Sequence, residues 1–362
     1  MEIQDLAPAG GSSQMAQFTL FGGLPAEKTH MVALYDIAPK FEFGSPEGEE
    51  GRKKIIEREF TFADRRYRIT LKPTRLKGPD GVIEDRYLGE REQIVEDVVR
   101  RLATKHGRLT LRDQIKVRAT FTVSEVRDEL KRVRHSFNYV QIRESLTLLN
   151  EVRIQIEFLD VKGSPILSAP VFPVLAMKRK DDDDGETYVE FNPLVAEAIR
   201  LLSFKEVDYD TLMKIRDPIA RWLFKRLHNQ VEASGSPFQT LSACEIRRDS
   251  GMSEWKHSRN MFQRIRHAVD ALVAIGVIEG LEVDPVKKGN KIVDLCFRLS
   301  ASADFMAKLH ASKRASKDNE LEFSRMSRGA KPASAFLQIT ESEVCRIRMA
   351  RSSSAAAQAS LD

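Results

Sequence analysis

Residues 241–280 read LSACEIRRDSGMSEWKHSRNMFQRIRHAVDALVAIGVIEG. Ser242 is a good helix N-cap and Gly251 a good stop, so a short helix is expected between them. A longer helix follows up to Gly276, with Met261, Phe262, Ile265, Val269 and Leu272 spaced by three and four. At 100° per residue the opposite face carries Lys256, Arg259, Asn260, Gln263 and His267, flanked by Arg264 and Arg266. Arginine can fork onto guanine, and Asn or Gln can bond adenine, so this face suits base reading while its flanks suit phosphates. Two alternating runs come next, VIEGLEV and KIVDLCFRL, joined by the basic turn Lys287-Lys288-Gly289-Asn290. Helix, turn, helix, hairpin in that order predicts a winged helix. The helix DPIARWLFKRLHNQ, turning Ile219, Trp222, Leu223 and Leu227 inward, opens the unit.

A similar order stands upstream. KIIEREFTF and YRITLKPTRL alternate as half-buried strands, and Pro79-Asp80-Gly81 marks a turn. EREQIVEDVVRRLATKHG then places Ile94, Val95, Val98, Val99 and Leu102 on one helical face, with Gly107 as its expected C-cap. TVSEVRDELKR, with Ser124 read as N-cap, leads through a turn at Val133–His135 into a second helix over 137–149. VRIQIEF and TYVEF are expected to pair as a long hairpin whose tip carries Lys178, Arg179, Lys180 and Asp181–Asp184. Adjacent carboxylates without other ligands read as a solvated loop, not a metal cage. The outer face of this second helix (Val140, Gln141, Arg143, Glu144, Thr147) suits a groove poorly. Arg127, Lys131, Arg132, Arg134 and His135 around it are placed for backbone phosphates. The first unit is therefore assigned to support and dimerisation, with the run VFPVLAM at 171–177 as an interface strand or a core strand.

The fold class expected is α+β: two tandem winged-helix domains, 54–204 and 205–311, between disordered segments 1–53 and 312–362. The first of these segments is rich in Gly, Pro, Ala and acidic residues, the second in Ser and Ala. No apolar run is long enough for a membrane span, and residues 1–11 lack the features of a secretory signal. Three scattered cysteines, Cys244, Cys296 and Cys345, suit a reducing cytoplasm. Net charge is only +5 (58 basic against 53 acidic residues), so the clustering of Lys and Arg matters more than the total.

No catalytic machinery is legible. The seven histidines include no His-x-His pair, the six tyrosines no helically spaced pair, and no GxxxxGK[ST] loop or Cys/His zinc spacing occurs. A nicking enzyme is thereby disfavoured. No catalytic residue, metal or cofactor is expected, and the chain is read as a binder, not an enzyme.

LGEREQIVEDVVRRLA with FTVSEVRDELKRVRHSFNYVQIRESLTLLN, then VDYDTLMKIRDPIARWLFKRLHNQ, then SEWKHSRNMFQRIRHAVDALVAIGVIEG, together resemble plasmid replication initiators of the iteron-binding, Rep- and TrfA-like type. The resemblance spans about residues 54–309. It implies binding to repeated double-stranded sites at a plasmid origin, melting of nearby AT-rich DNA, and recruitment of the host initiator and helicase. It also implies a monomer–dimer equilibrium, in which dimers repress the initiator's own promoter and so set plasmid copy control. A winged-helix transcriptional regulator is the competing reading. The pentapeptide QFTLF at 17–21 looks like a sliding-clamp-binding motif, with Gln17, Leu20 and Phe21 as contact residues. Similar initiators carry such a motif followed directly by Asp-Ile-Ala-Pro. Here LYDIAP stands apart, at 34–39.

Overall fold

The computed structural model describes residues 27–43, 55–77, 81, 83–104, 109–112, 116–160, 166–178, 185–200, 203–253, 255 and 257–326. The chain mixes helices with antiparallel sheets. Strand β1 (Lys28–Met31) and the short helix α1 (Ala33–Ile37) come first. β2 (Ile56–Phe62), β3 (Arg65–Lys72), β4 (Thr74–Lys77) and β5 (Ile83–Arg86) lead into helix α2 (Glu90–Ala103). β6 (Leu109–Arg112), β7 (Lys116–Thr122), α3 (Val123–Arg132) and α4 (Tyr139–Glu151) follow. Then come β8 (Arg153–Phe158), β9 (Ile166–Pro170), β10 (Val174–Ala176), β11 (Glu186–Glu190) and α5 (Pro193–Arg200). The remainder is β12 (Lys205–Asp208), α6 (Tyr209–Lys214), α7 (Pro218–Ser234), β13 (Phe238–Ser242), α8 (Ala243–Ser250), α9 (Ser258–Ala274), the hairpin β14 (Ile278–Lys288) and β15 (Lys291–Ala301), and α10 (Ala303–Met326).

Two four-stranded sheets, β2-β3-β8-β9 and β10-β11-β7-β6, flank α2, α3 and α4. The expected hairpin between VRIQIEF and TYVEF does not form. β8 pairs with β3 and β9, while β11 pairs with β7 and β10 in the other sheet. Both runs alternate, but alternation specifies which face a residue takes and not which strand lies alongside. The helix α3 is capped by Thr122, not Ser124: the Thr122 hydroxyl accepts from the Glu125 N–H at 3.1 Å and Glu125 reaches back to the Thr122 N–H at 2.9 Å. The Ser124 hydroxyl instead meets the Tyr139 hydroxyl at 2.9 Å. α2 ends at Ala103 with Thr104 as its C-cap, and Gly107 lies outside the described residues.

Residues 28–43, expected within a disordered segment, are folded. β1 pairs with β12, and Met31, Tyr35 and Ile37 are at most 1% exposed. Their apolar partners stand far along the chain, so the polar composition around them concealed the burial. Tyr35, Ala38 and Phe41 pack into a core built by the first half, whereas Met31 and Ile37 enter a second core around α7, α8 and α9. Tyr209 and Met213, beyond the expected boundary at 204, belong to the first core. At the other end α10 runs on to Met326, past the start expected for a tail at 312. Phe305 and Leu309 hold it to the second core.

α7 is covered on both sides. Arg221 and Lys225, charged residues between its apolar positions, are 0% and 6% exposed. Around them lies a buried charge network. Arg100 donates to both carboxylate oxygens of Asp36 at 2.8 and 2.7 Å. Lys225 reaches Asp97 at 2.7 Å and Asp36 at 3.3 Å, and Lys40 reaches Glu96 at 3.0 Å. Burial alone would raise the Asp36 carboxyl, but Arg100 and Lys225 hold it far below the usual range. Burial lowers the Lys40 ammonium to about 8 despite Glu96. Segment 28–43, α2 and α7 are fastened here by ions that water does not screen.

Candidate nucleic-acid interface

The second unit presents α8 and α9 against the three-stranded sheet β13-β15-β14. Ser242 caps α8 as expected, accepting from the Glu245 N–H at 3.0 Å while Glu245 returns to the Ser242 N–H at 3.0 Å. Gly251 ends the helix in the left-handed region at φ +86°, and a Cβ there would stand 2.2 Å from the Phe41 carbonyl oxygen. Only glycine lets segment 28–43 come this close to the turn before α9. Glu42 of the same segment accepts from Ser253 and from Arg58.

α9 buries Met261, Phe262, Ile265, Ala268, Val269 and Leu272. Arg259, Asn260, Gln263, Arg266 and His267 are exposed on the other side, and no hydrogen bond or ion pair to a described residue occupies their side chains. Lys256 lies outside the described residues. Asp270 is exposed one turn beyond Arg266, so a carboxylate closes the basic face. Arg264 departs from expectation: it is half-buried and ion-paired to Asp217, the residue that caps α7. Its charge is spent inside the molecule and not displayed to a phosphate.

The hairpin β14–β15 is long, with 11 residues in each strand. Its tip turns at Gly289 (φ +61°) and exposes Lys287, Lys288 and Lys291. Val286, Ile292 and Val293 beside them are each 45% exposed. Cations with an apolar underside can follow a sugar–phosphate wall.

The first unit contributes less freely than its sequence suggests. Arg127 is half-buried and stacks over the Tyr139 ring at 4.2 Å. Arg132 donates to Glu129 at 2.8 Å and to Asp210 at 3.0 Å. Lys131 and Arg134 are exposed, Lys131 lying 3.9 Å from Asp128. His135 is buried rather than displayed, and desolvation with the nearby Arg221 and Arg216 charges lowers it to about 4. Glu144 on α4 is neutralised by Arg86 and Arg91. Of the run 171–177, Val171 and Phe172 are core, while β10 forms a half-buried sheet edge. Gln17, Leu20 and Phe21, like Asp181–Asp184, lie outside the described residues. Among the described residues no helix is long and apolar enough to cross a membrane.

The sequence reading missed Lys214 and Arg216, exposed at the end of α6 and just before α7. Arg216 directly precedes Asp217, the partner of Arg264. Only the cation spacing in KIRD hinted at them, and a linker with two cations is commonplace.

No protein-family model and no curated protein matches the chain. Similar solved structures include domains 2 and 3 of RctB, at 10% identity and a TM-score of 0.46, covering 75% of this chain and 96% of that one. A second structure of RctB domains 2–3 gives 10% identity and 0.38, covering 76% and 99%. The Pi initiator protein in complex with iteron DNA gives 12% identity and 0.40, covering 59% and 91%. At these values no residue of a neighbour is carried over to this chain.

Proposed function

We propose that the chain is a plasmid replication initiator, binding repeated duplex sites at its origin through two units of winged-helix type. The observation that carries this reading is the α9 face: Arg259, Asn260 and Gln263 stand exposed, unengaged by any described residue, beside a hairpin tipped with Lys287 and Lys288. Donors without internal partners on a rigid helix are what base edges require. α9 reads the major groove, the hairpin tip and Arg266 follow the backbone, and the first unit adds Lys131 and Arg134. The first unit also carries self-association, with the β10 edge as the strand available for pairing. The protein binds without catalysis and acts in the cytoplasm.

Beyond binding, the chain opens adjacent AT-rich DNA and recruits the host initiator and helicase, and its dimers repress its own promoter. Gln17, Leu20 and Phe21 hold the sliding clamp. Burying Leu20 and Phe21 contributes about 3–6 kcal/mol gross, offset by about 1–2 kcal/mol for each residue ordered. The contact is then weak and useful once the protein is concentrated on DNA.

Two measurements test the reading. Nuclease protection on the neighbouring DNA should reveal direct repeats about two helical turns apart. A plasmid carrying those repeats should replicate only when the chain is supplied. Protection of a promoter alone, with no replication, would make the protein a transcriptional regulator. Changing Leu20 and Phe21 to Ala should abolish clamp binding while origin protection persists; clamp binding that survives the change removes that partner.

A further inference from the structure

At the seam between the two units lies an open groove of about 460 Å³, lined by Arg132, Arg134, Asp210, Lys214 and Arg216 with Met213 at its floor. Four cations face one carboxylate. Arg132 is already engaged by Asp210 and Glu129, so the uncommitted charge rests on Arg134, Lys214 and Arg216. No described acidic side chain pairs with these three. Like charges held together in a concave site create a potential that an anion relieves.

Two further features make the groove a built one. The Arg216 guanidinium donates to His135 Nδ1 at 3.1 Å, and His135 Nε2 faces the Met213 carbonyl at 3.3 Å. A neutral His135 protonated at Nε2 satisfies both bonds, so a buried ring from the first unit holds an arginine of the second in place. Arg134 occupies the left-handed region at φ +62°, where a side chain other than Gly, Asn or Asp is uncommon. This is the left-handed end of α3, where the Arg134 N–H donates to the Lys131 carbonyl at 2.9 Å and the His135 N–H to the Leu130 carbonyl at 2.8 Å, so the backbone carrying Arg134 is fixed.

The groove also continues the reading surface. Arg216 is followed by Asp217, which binds Arg264 on the flank of α9. We infer that this seam groove is a phosphate clamp for the DNA backbone as it passes from the major groove read by α9 toward the first unit. Lys214 and Arg216 supply the charge, Arg134 the far wall, and His135 is a positioning residue. This inference rests on the origin-binding reading and adds a specific backbone site to it.

The test uses the full chain and fluorescence anisotropy on an origin duplex and a random duplex across a series of KCl concentrations. Lys214→Ala/Arg216→Ala should lower the slope of log K against log salt by about 2 on both duplexes, at roughly 0.9 per phosphate contact. The cognate-to-random preference should not change. Arg216→Lys should keep the slope, because counterion release counts charge. Arg134→Gly, which relieves the strained φ and so keeps the fold, should lower the slope by about 1. An unchanged slope in a folded double variant overturns the clamp and leaves origin binding standing. Absence of duplex binding by the unaltered chain overturns the origin-binding reading and the clamp with it.

Discussion

Two glycines show how differently one backbone conformation can be used. Gly251 and Gly276 both sit at positive φ, +86° and +74°, but a Cβ on Gly276 would meet nothing within 4 Å. Gly276→Ala should therefore cost only the left-handed penalty of about 1–2 kcal/mol. Gly251→Ala adds a collision with the Phe41 carbonyl and should cost clearly more in denaturant unfolding. Equal losses would mean that segment 28–43 moves aside freely. At the same scale, Arg259→Ala or Gln263→Ala should cost about 1–3 kcal/mol on the cognate site and relax specificity there. Equal loss on random DNA would reassign both to phosphate. Buried His135 and His228 are each lowered to about 4, chiefly by desolvation. The unfolded chain binds their protons first, so the stability they contribute is whole above pH about 6.5 and drains as pH falls toward 4. The slope should reach about 1.4 kcal/mol per pH unit for each histidine. Unfolding free energies that stay flat across that window would show the rings charged or hydrated in the native state. Residues of this kind were legible only in part. The stripe and the open face of α9 follow from spacing alone, because a helix brings neighbours three and four apart together. The seam groove joins residues 81 positions apart, and no local pattern announces it.

Among the elements, the helices were the readable ones. α2, α4, α7 and α9 each carry an apolar stripe that local period reveals, and Ser242 and Gly251 bound α8 as their chemistry demands. Strand partners were not readable, as β8 and β11 show by joining separate sheets. α7 exposed another limit: Arg221 and Lys225 look like a solvated face until α1 and α2 are seen to cover them. The hairpin β14–β15 carries its own prediction. Its tip lysines are exposed and far from any core, so Lys287→Ala/Lys288→Ala should leave the unfolding midpoint unchanged. The same change should reduce the salt slope of DNA binding by up to about 2. A slope equal to that of the unaltered chain would place the hairpin off the DNA.

The whole molecule is held together by a segment that composition marked as loose. Segment 28–43 belongs to both cores, and Asp36 lies between Arg100 of the first unit and Lys225 of the second. Asp36→Ala takes from Arg100 and Lys225 the carboxylate they share, leaving Arg100 only Glu96 and Lys225 only Asp97, and should destabilise the chain by about 3–5 kcal/mol. Separate unfolding of the two halves in that variant, against one transition in the unaltered chain, is the expected calorimetric signature. A single undiminished transition would show the network to be dispensable. On the binding proposed above, a chain clasped in this way would meet DNA as a caliper with its jaws locked. The two jaws would then meet the duplex at one fixed angular offset, and a given side of the duplex comes round once every 10–10.5 base pairs. Inserting about 5 base pairs between the stretches touched by the two halves turns one of them to the far side, and no rotation of one half against the other can follow it.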